Sequence, residues 1–187
     1  MQIRMELLSD TIFGNGMSVP GGEDISVLCD GYGFPYYKGT TLKGVFREEL
    51  ERYIEWSGKY NTDFLGVSNG DYNDDRIVFS DLKLSDYVRN EIIKEVGVDR
   101  PDTVRDLLTN IRTFTRINDD GIADEGSLRM ARCVNSGLIF YGYIECNKDQ
   151  ESMIRDVFGL IKWIGTLRNR GFGNVKISVM EAENEIL

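Results

Sequence analysis

The order of the apolar segments constrains the fold more than any other feature of this sequence. Short stretches of strand-like composition alternate with longer stretches in which apolar residues recur every three or four positions. The strand-like stretches span residues 3–8, 76–84, 138–144 and 175–179. The helix-like stretches span 40–56, with Leu42, Val45, Phe46, Leu50, Tyr53 and Ile54 at helical spacing, and 149–167, with Met153, Ile154, Val157, Leu160, Ile161 and Ile164.

The order strand, helix, strand, strand, helix, strand predicts an α+β fold with a ferredoxin-like or RRM-like core, βαββαβ. Two stretches do not fit that core. Residues from about 57 to 75 are polar and rich in glycine, and residues 98–132 are rich in charge, so we expect both to be insertions. A chain of 187 residues buries one core but is short for two, which predicts a single domain over 1–187.

The absence of histidine narrows the chemistry that the chain can perform. It excludes an imidazole general base, a Ser-His-Asp triad and any zinc site that contains histidine. Acid-base or metal chemistry must then come from carboxylates, lysine, tyrosine, cysteine or bound RNA. The net charge of -9 argues against a protein that coats nucleic acid with its whole surface, so the 22 basic residues must act where they cluster.

Cysteine content and hydropathy predict where the protein resides. Cys29, Cys133 and Cys146 are odd in number and widely spaced, which is typical of reduced thiols in a cytosolic protein. No basic flank followed by an apolar run opens the sequence, and nowhere do about 18 apolar residues follow one another. We therefore expect a soluble, cytoplasmic protein without a membrane segment.

The first informative segment joins a glycine and proline turn at 33–37 to the start of the first predicted helix. Thr40 or Thr41 is expected to cap that helix, whose N-terminal dipole favours an anion such as phosphate. Lys43 adds positive charge, and Arg47 lies four residues later on the same helical face. The alternative is an ordinary capped helix with a solvated basic pair.

The second informative segment, 165–175, is a basic, glycine-rich loop between the last predicted helix and the last predicted strand. Its glycines let a backbone approach an RNA strand closely, and its arginines supply charge. Phe172 has a ring that can stack on a base. By itself the loop is a weak indication of RNA binding. It lies between a helix and a strand, which is the reverse of the order in a dinucleotide-binding fold, whose glycine loop follows a strand and opens a helix.

Together the two segments resemble the RAMP superfamily. The pattern P-Y-x-x-G-T-T-L-K-G-x-x-R spans 35–47, and L-R-N-R-G-F-G spans 167–173. Shorter blocks between them also look like family blocks, at 64–66, 76–81, 115–117 and 128–129. Within the superfamily, the short length and the single C-terminal glycine loop look most like the backbone subunit that polymerises along guide RNA in type III CRISPR effector complexes, which serve antiviral defence.

This resemblance implies a ferredoxin-like core with lid segments and an inserted thumb-like hairpin, which 98–132 would supply and which kinks the guide–target duplex at regular intervals. It implies guide RNA, single-stranded target RNA, further copies of the chain and other complex subunits as partners. Sequence would be read by base pairing, while the protein recognises backbone and shape. The residues that it assigns to RNA binding are Lys38, Thr40, Thr41, Lys43, Arg47, Arg168, Arg170, Gly171, Phe172 and Gly173.

The resemblance also implies a catalytic and metal-binding aspartate, Asp24. Its role would be metal-assisted activation of a 2'-hydroxyl of target RNA. The metal would be Mg²⁺ or another divalent cation whose coordination shell is completed by RNA phosphates. The family often has proline shortly after this aspartate, whereas Ile25 and Ser26 follow here, so the loop is expected to have a different shape. A solvated turn residue is the alternative for Asp24, and for Asp30 a turn role is favoured over metal binding.

Three other functions stay open. A non-catalytic structural subunit of the same kind of complex would bind RNA without using Asp24 for cleavage. A guide-processing endoribonuclease of the same superfamily is less favoured, because such enzymes commonly use histidine. A nucleotide-binding metabolic enzyme fits poorly, because the glycine loop precedes a strand.

Overall fold

The computed structural model describes residues 1–14, 23–59 and 77–180. Its elements follow in the order β1 (Gln2–Leu7), α1 (Gly39–Ser57), β2 (Val78–Phe79), β3 (Lys83–Leu84), α2 (Asp86–Val96), α3 (Pro101–Leu108), β4 (Thr109–Phe114), β5 (Arg129–Val134), β6 (Ile139–Glu145), α4 (Glu151–Leu160) and β7 (Val175–Met180). The predicted insertion at about 57–75 lies almost wholly outside the described residues.

A single antiparallel sheet forms the core. β7 pairs with β1, β1 pairs with β6, and β6 pairs along its other edge with both β2 and β3. With α1 and α4 as the two crossover helices, this strand order is that of a ferredoxin-like fold, which confirms the prediction.

One face of the sheet and the two crossover helices enclose the main core. In β1, residues Ile3, Met5 and Leu7 alternate with partly exposed residues, as a strand buried on one face requires. Helix α1 buries residues four positions apart, and the ring centroids of Phe46 from α1 and Phe158 from α4 are 5.2 Å apart. This packing fixes the start of α1 against the sheet.

The start of α1 differs from the prediction that Thr40 or Thr41 caps it. Lys38 is the N-cap residue, its side chain makes no capping bond, and both threonines lie inside the first turn. The carboxylate of Asp81 instead accepts the backbone N–H of Gly39 at 2.9 Å. A side chain from the segment between β2 and β3 therefore caps the helix in place of a local hydroxyl.

The second predicted helix ends seven residues early, at Leu160 instead of 167. After Leu160 the chain becomes extended and pairs with the residues around the start of β7: Ile164 donates to the carbonyl of Gly173 at 2.9 Å, and Val175 donates to that of Lys162 at 2.9 Å. Ile161 and Ile164 are buried in this extended segment, so their spacing indicated burial and not helix. Leu160 is 42% exposed.

The predicted strand at 76–84 is also interrupted. β2 and β3 are separated by 80–82, where the backbone of Leu82 exchanges two hydrogen bonds with Tyr37 at 2.8 and 3.0 Å. This pairing brings the segment before α1 alongside the sheet. The charged stretch 98–132 contains α3 and most of a two-stranded antiparallel hairpin, β4 and β5, joined by residues 115–128.

The state of the cysteines and the hydropathy of the helices relate to the predictions of reduced thiols and of no membrane segment. Cys29, Cys133 and Cys146 are all free thiols, as predicted. Burial raises the pKa of Cys29 to about 11 and that of Cys133 to about 12, so both stay protonated at neutral pH. Among the helices that the structure describes, none has the length and apolar character needed to cross a membrane.

Candidate nucleic-acid interface

The two informative segments of the sequence meet in one pocket of about 310 Å³, which we call the α1 pocket. It lies where the N-terminus of α1 faces the loop after α4. Described residues that line it come from four parts of the chain: Ile12, Phe13, Gly14, Leu28, Tyr36, Tyr37, Lys38, Thr41, Val45, Gly165, Thr166 and Arg168. Three of the predicted RNA-binding residues, Lys38, Thr41 and Arg168, are thus brought together.

The electrostatics of the α1 pocket favour an anion. Lys38 and Arg168 are exposed cations on opposite walls, and Thr41 exposes a hydroxyl within the first turn of α1. The positive end of the α1 dipole is at the same place. A phosphate placed here would meet two cations and a hydroxyl donor at once.

Two glycines allow the loop after α4 to form the other wall. Gly165 has φ +73° and a Cβ there would lie 2.5 Å from the carbonyl oxygen of Ile12, while Gly173 has φ +81° and a Cβ would lie 1.9 Å from that of Ile164. Any side chain would force these backbones apart. The predicted glycine Gly173 therefore acts through backbone packing.

Tyr37 lies beneath the α1 pocket with a buried hydroxyl that forms no well-aligned hydrogen bond among the described residues, although the backbone of Gly165 lies near enough to influence it. Burial raises the pKa of Tyr37 to about 12, against the weaker opposing influence of the Gly165 backbone and the Arg168 charge. The phenol is therefore neutral.

A second, larger pocket of about 900 Å³ lies between the β4–β5 hairpin and the same loop, and we call it the hairpin cleft. Three arginines line it, Arg116, Arg129 and Arg170, together with the acidic residues Asp124 and Glu125. Its other described lining residues are Ile25, Phe114, Thr115, Ile117, Gly126, Ser127, Met130, Ala131 and Leu167. The predicted RNA-binding residues Arg168 and Arg170 thus belong to adjacent but different pockets.

Phe172 packs against the hairpin. Its ring centroid is 5.5 Å from that of Phe114 in an edge-to-face arrangement, and it contacts the small buried cluster of Ile12, Ala131 and Cys133. Arg170 places its guanidinium 5.6 Å from the Phe114 ring centroid. Phe172 thus joins the glycine loop to the hairpin, and the base-stacking role expected of it stays a prediction.

Asp24 is held against strand β5. One carboxylate oxygen, Oδ2, accepts the backbone N–H of Met130 at 2.8 Å, and the other, Oδ1, accepts the guanidinium of Arg129 at 3.2 Å. The N–H of Asp24 donates in turn to the carbonyl of Met130 at 2.8 Å. The Met130 hydrogen bond, followed by Arg129, holds the pKa of Asp24 below its usual value, so the carboxylate is ionised at neutral pH.

A divalent cation fits at Asp24 only when shared with another ligand. The Asp24 side chain is 37% exposed and anionic, and each oxygen keeps a free lone pair beside its hydrogen bond. No group of three or more acidic or cysteine residues that would hold a metal occurs within 1–14, 23–59 and 77–180. This donor set suits a cation such as Mg²⁺ that keeps waters and takes its remaining ligands from bound phosphates.

The residue before Asp24 belongs to a buried ionic network that the sequence did not reveal. Glu23 binds the guanidinium of Arg132, which also donates to Asp106 at 2.7 Å and to the hydroxyl of Thr109 at 3.0 Å. Arg132 and Glu23 expose only 10% and 13% of their side chains. This network ties the Asp24 segment to β5 and α3.

The other predicted residues lie outside both pockets. Thr40 is exposed in the first turn of α1, Lys43 and Arg47 are partly buried along the same helix, and Gly171 has φ +85° at the end of a short helical turn in the loop. Asp30 has a local role: its Oδ1 accepts the N–H groups of Tyr32 and Phe34, and its Oδ2 accepts Arg89 at 2.7 Å. The turn role favoured for Asp30 is confirmed.

Comparisons with known proteins agree with this geometry. A model of the RAMP superfamily matches residues 4–176. No curated protein sequence matches the chain. Two similar solved structures are chains of type III-B Cmr-beta complexes, both at a TM-score of 0.70. One, from the apo state, is 12% identical over 97% of each chain, and one, from the complex bound to cognate target RNA, is 13% identical over 95% of each chain. At so low an identity, the structural likeness shows a shared fold alone.

Proposed function

The chain belongs to the RAMP superfamily, and on that premise we propose that it is a guide-RNA-binding backbone subunit of a type III CRISPR interference complex. The observation that carries the proposal is the α1 pocket. It unites Lys38 and Thr41 with Arg168, which lies near the other end of the chain. A cationic pocket at a helix N-terminus, on a chain of net charge -9, is suited to a phosphate of a nucleic-acid backbone.

Guide and target strands would occupy the two adjacent pockets. The α1 pocket holds a guide phosphate, and the hairpin cleft, with arginines on both of its walls, receives the target strand. Arg116 and Arg129 come from the hairpin and Arg170 from the glycine loop, so a strand in the cleft is neutralised from two sides. The hairpin then serves as the thumb that interrupts the guide–target duplex.

Target cleavage would centre on Asp24, at the edge of the hairpin cleft. Asp24, together with RNA phosphates, would hold a divalent cation, which would supply Lewis-acid activation of the 2'-hydroxyl and neutralise phosphate charge. Asp24 supplies a fixed anionic ligand, because strand β5 holds its backbone and one of its oxygens through Met130. The chain would thereby be a metal-dependent endoribonuclease that acts on target RNA.

The partners follow from the same proposal. Guide RNA, complementary single-stranded target RNA, further copies of the chain and other effector-complex subunits would assemble around the two pockets, in the cytoplasm. The fold shared with a chain of a target-bound type III-B Cmr-beta complex supports such an assembly. The acidic remainder of the surface is available to basic neighbours.

A non-catalytic structural subunit is the second candidate, and one observation favours it. Both oxygens of Asp24 already accept hydrogen bonds, from Met130 and Arg129, so the carboxylate is stabilised without a metal. Such a subunit would bind guide and target RNA as proposed and leave cleavage to another component.

Cleavage by the chain assembled on guide RNA separates the two candidates. With labelled complementary RNA and Mg²⁺, the proposal predicts cuts at regular spacing that disappear in Asp24→Ala while RNA binding is retained. Asp99→Ala, which removes an exposed carboxylate of the turn between α2 and α3, is the matched control and keeps the cuts. Unchanged products from Asp24→Ala would assign the chain to the structural class.

A further inference from the structure

Arg129 links Asp24 to the hairpin cleft. It is the first residue of β5, its side chain is 68% exposed, and its guanidinium lines the cleft. One of its amino groups, Nη1, lies 3.2 Å from Oδ1 of Asp24. Arg129 is the one cleft arginine for which the described residues show a contact with Asp24, since Arg116 pairs with Asp124 at 3.3 Å and Arg170 lies over Phe114.

Strand β5 builds this arrangement by placing two donors side by side. Arg129 and Met130 are consecutive, and the Asp24 carboxylate lies across them, with Met130 N–H on Oδ2 and Arg129 on Oδ1. The backbone pairing of Asp24 with Met130 at 2.8 Å fixes the carboxylate in register with the strand. Backbone hydrogen bonds therefore keep the backbone of Arg129 beside the carboxylate, and the ion pair directs its guanidinium there.

The ion pair contributes little to stability, because both partners are exposed to solvent. Its chemical consequence is larger. A guanidinium has five N–H donors in a planar fork, and a single bond to Oδ1 leaves donors directed at whatever occupies the cleft. A phosphate is the group whose geometry this fork matches, through two parallel hydrogen bonds.

We propose that Arg129 is a further catalytic residue of the cleavage reaction, binding the scissile phosphate of the target strand beside Asp24. This inference rests on the proposed function. In the reaction the 2'-hydroxyl gives its proton to a water molecule beside Asp24, and the 2'-oxygen forms a bond to the adjacent phosphorus. The bond from phosphorus to the 5'-oxygen breaks, and that oxygen takes a proton from water, which leaves a 2',3'-cyclic phosphate and a 5'-hydroxyl end.

Arg129 acts where negative charge develops. The non-bridging oxygens of the phosphate gain charge as the 2'-oxygen attacks, and two N–H donors of the guanidinium are positioned to neutralise it. The same guanidinium holds the phosphate next to the anionic carboxylate of Asp24, which would otherwise repel it. A lysine at this position carries its charge on a single ammonium group and lacks the planar pair of N–H donors. It therefore restores only part of the stabilisation of the phosphate charge.

The test is single-turnover cleavage of a complementary target RNA by the chain assembled on guide RNA, with the assembly in excess over the target and above its dissociation constant for the target. Arg129→Ala is expected to lower the rate about 100-fold and to change target affinity far less. Arg129→Lys is expected to recover part of the lost rate. Lys94→Ala, an exposed residue of α2 that pairs with Glu91, is the matched control and cleaves like the wild type.

Each outcome separates this inference from the proposed function. If Asp24→Ala is inactive but Arg129→Ala cleaves at the wild-type rate or faster, the role of Arg129 is overturned and the proposed function stands. An equal loss of rate in Arg129→Ala and Arg129→Lys with a matching loss of target affinity would reduce Arg129 to a binding residue. If the wild type does not cleave, or Asp24→Ala still does, the role of Arg129 fails together with the cleavage part of the proposed function, and only the RNA-binding part stands.

Discussion

The guanidinium of Arg132 binds the carboxylate of Glu23, with 2.8 Å between Nε and Oε1. This contact joins two residues 109 positions apart and attaches the segment that carries Asp24 to the hairpin. Because the Asp24 backbone also pairs with Met130, the proposed catalytic loop and the hairpin form one packed unit. A duplex that displaces the hairpin would move Asp24 with it.

We predict that Arg132→Ala destabilises the protein by about 3 kcal/mol, because it leaves the carboxylate of Glu23 largely buried without its partner. Urea unfolding followed by circular dichroism measures the change. Arg52→Ala, which removes exposed pairs with Glu48 and Glu49, is the control and should cost no more than about 0.5 kcal/mol. Equal losses in the two variants would show that the network is not buried as described.

Phe172 is predicted to act through packing. Phe172→Leu keeps most of the contact with Phe114, so RNA affinity should change less than twofold, whereas Phe172→Ala should lower the melting temperature and weaken RNA binding together. Thermal unfolding and RNA titration on both variants test this. A large loss of RNA affinity in Phe172→Leu at unchanged stability would indicate base stacking instead.

Tyr37→Phe is expected to leave the free energy of unfolding unchanged or to raise it by up to about 1 kcal/mol, because the buried hydroxyl that it removes makes no well-formed hydrogen bond among the described residues and has only the backbone of Gly165 near it. Tyr53→Phe is the control: its hydroxyl lies 3.4 Å from a carboxylate oxygen of Asp156, so no gain is expected. Urea midpoints measure both. A loss of stability in Tyr37→Phe would mean that the hydroxyl has a partner.

Acid should destabilise the protein partly through Asp10. Burial alone would raise the pKa of Asp10, but hydrogen bonds from Arg112, the Ser136 backbone and Asn110 outweigh it and lower that pKa below the ordinary value of 3.8. Such a group stabilises the fold above its unfolded pKa, and the contribution is lost as pH falls through the folded pKa. Below about pH 4, the melting temperature of the wild type should therefore fall more steeply than that of Asp10→Asn. Parallel curves would contradict this.

The core elements were predictable because their information is local. The apolar spacing of α1 predicted 40–56, and the helix spans Gly39–Ser57. Periodicity reports burial and not backbone conformation, which is why the extended residues Ile161 and Ile164 were assigned to a helix. The cap of α1 was missed because the backbone N–H of Gly39 donates to Asp81. That residue is distant in sequence and comes near the helix only in the folded sheet.

The site was predictable in part for the same reason. The family resemblance, carried by local motifs, placed Lys38, Thr41 and Arg168 among the candidates, and the fold unites them. Periodicity and composition carry no information about contacts between distant residues, so the pairs Glu23 with Arg132 and Phe114 with Phe172 were not foreseen. The division of Arg168 and Arg170 between two pockets also depends on the path of a single loop.

Binding of a guide-length single-stranded RNA across salt concentrations tests the central claim most directly. Wild type should bind tightly at low salt, and Lys38→Ala/Arg168→Ala should bind more weakly with a salt slope reduced by about 1.4, for two lost phosphate contacts. Arg52→Ala/Lys94→Ala removes two cations elsewhere and should retain the wild-type slope. Equal slopes in the wild type and the pocket variant, or an equal loss in the two double variants, would contradict the assignment of the α1 pocket to guide RNA.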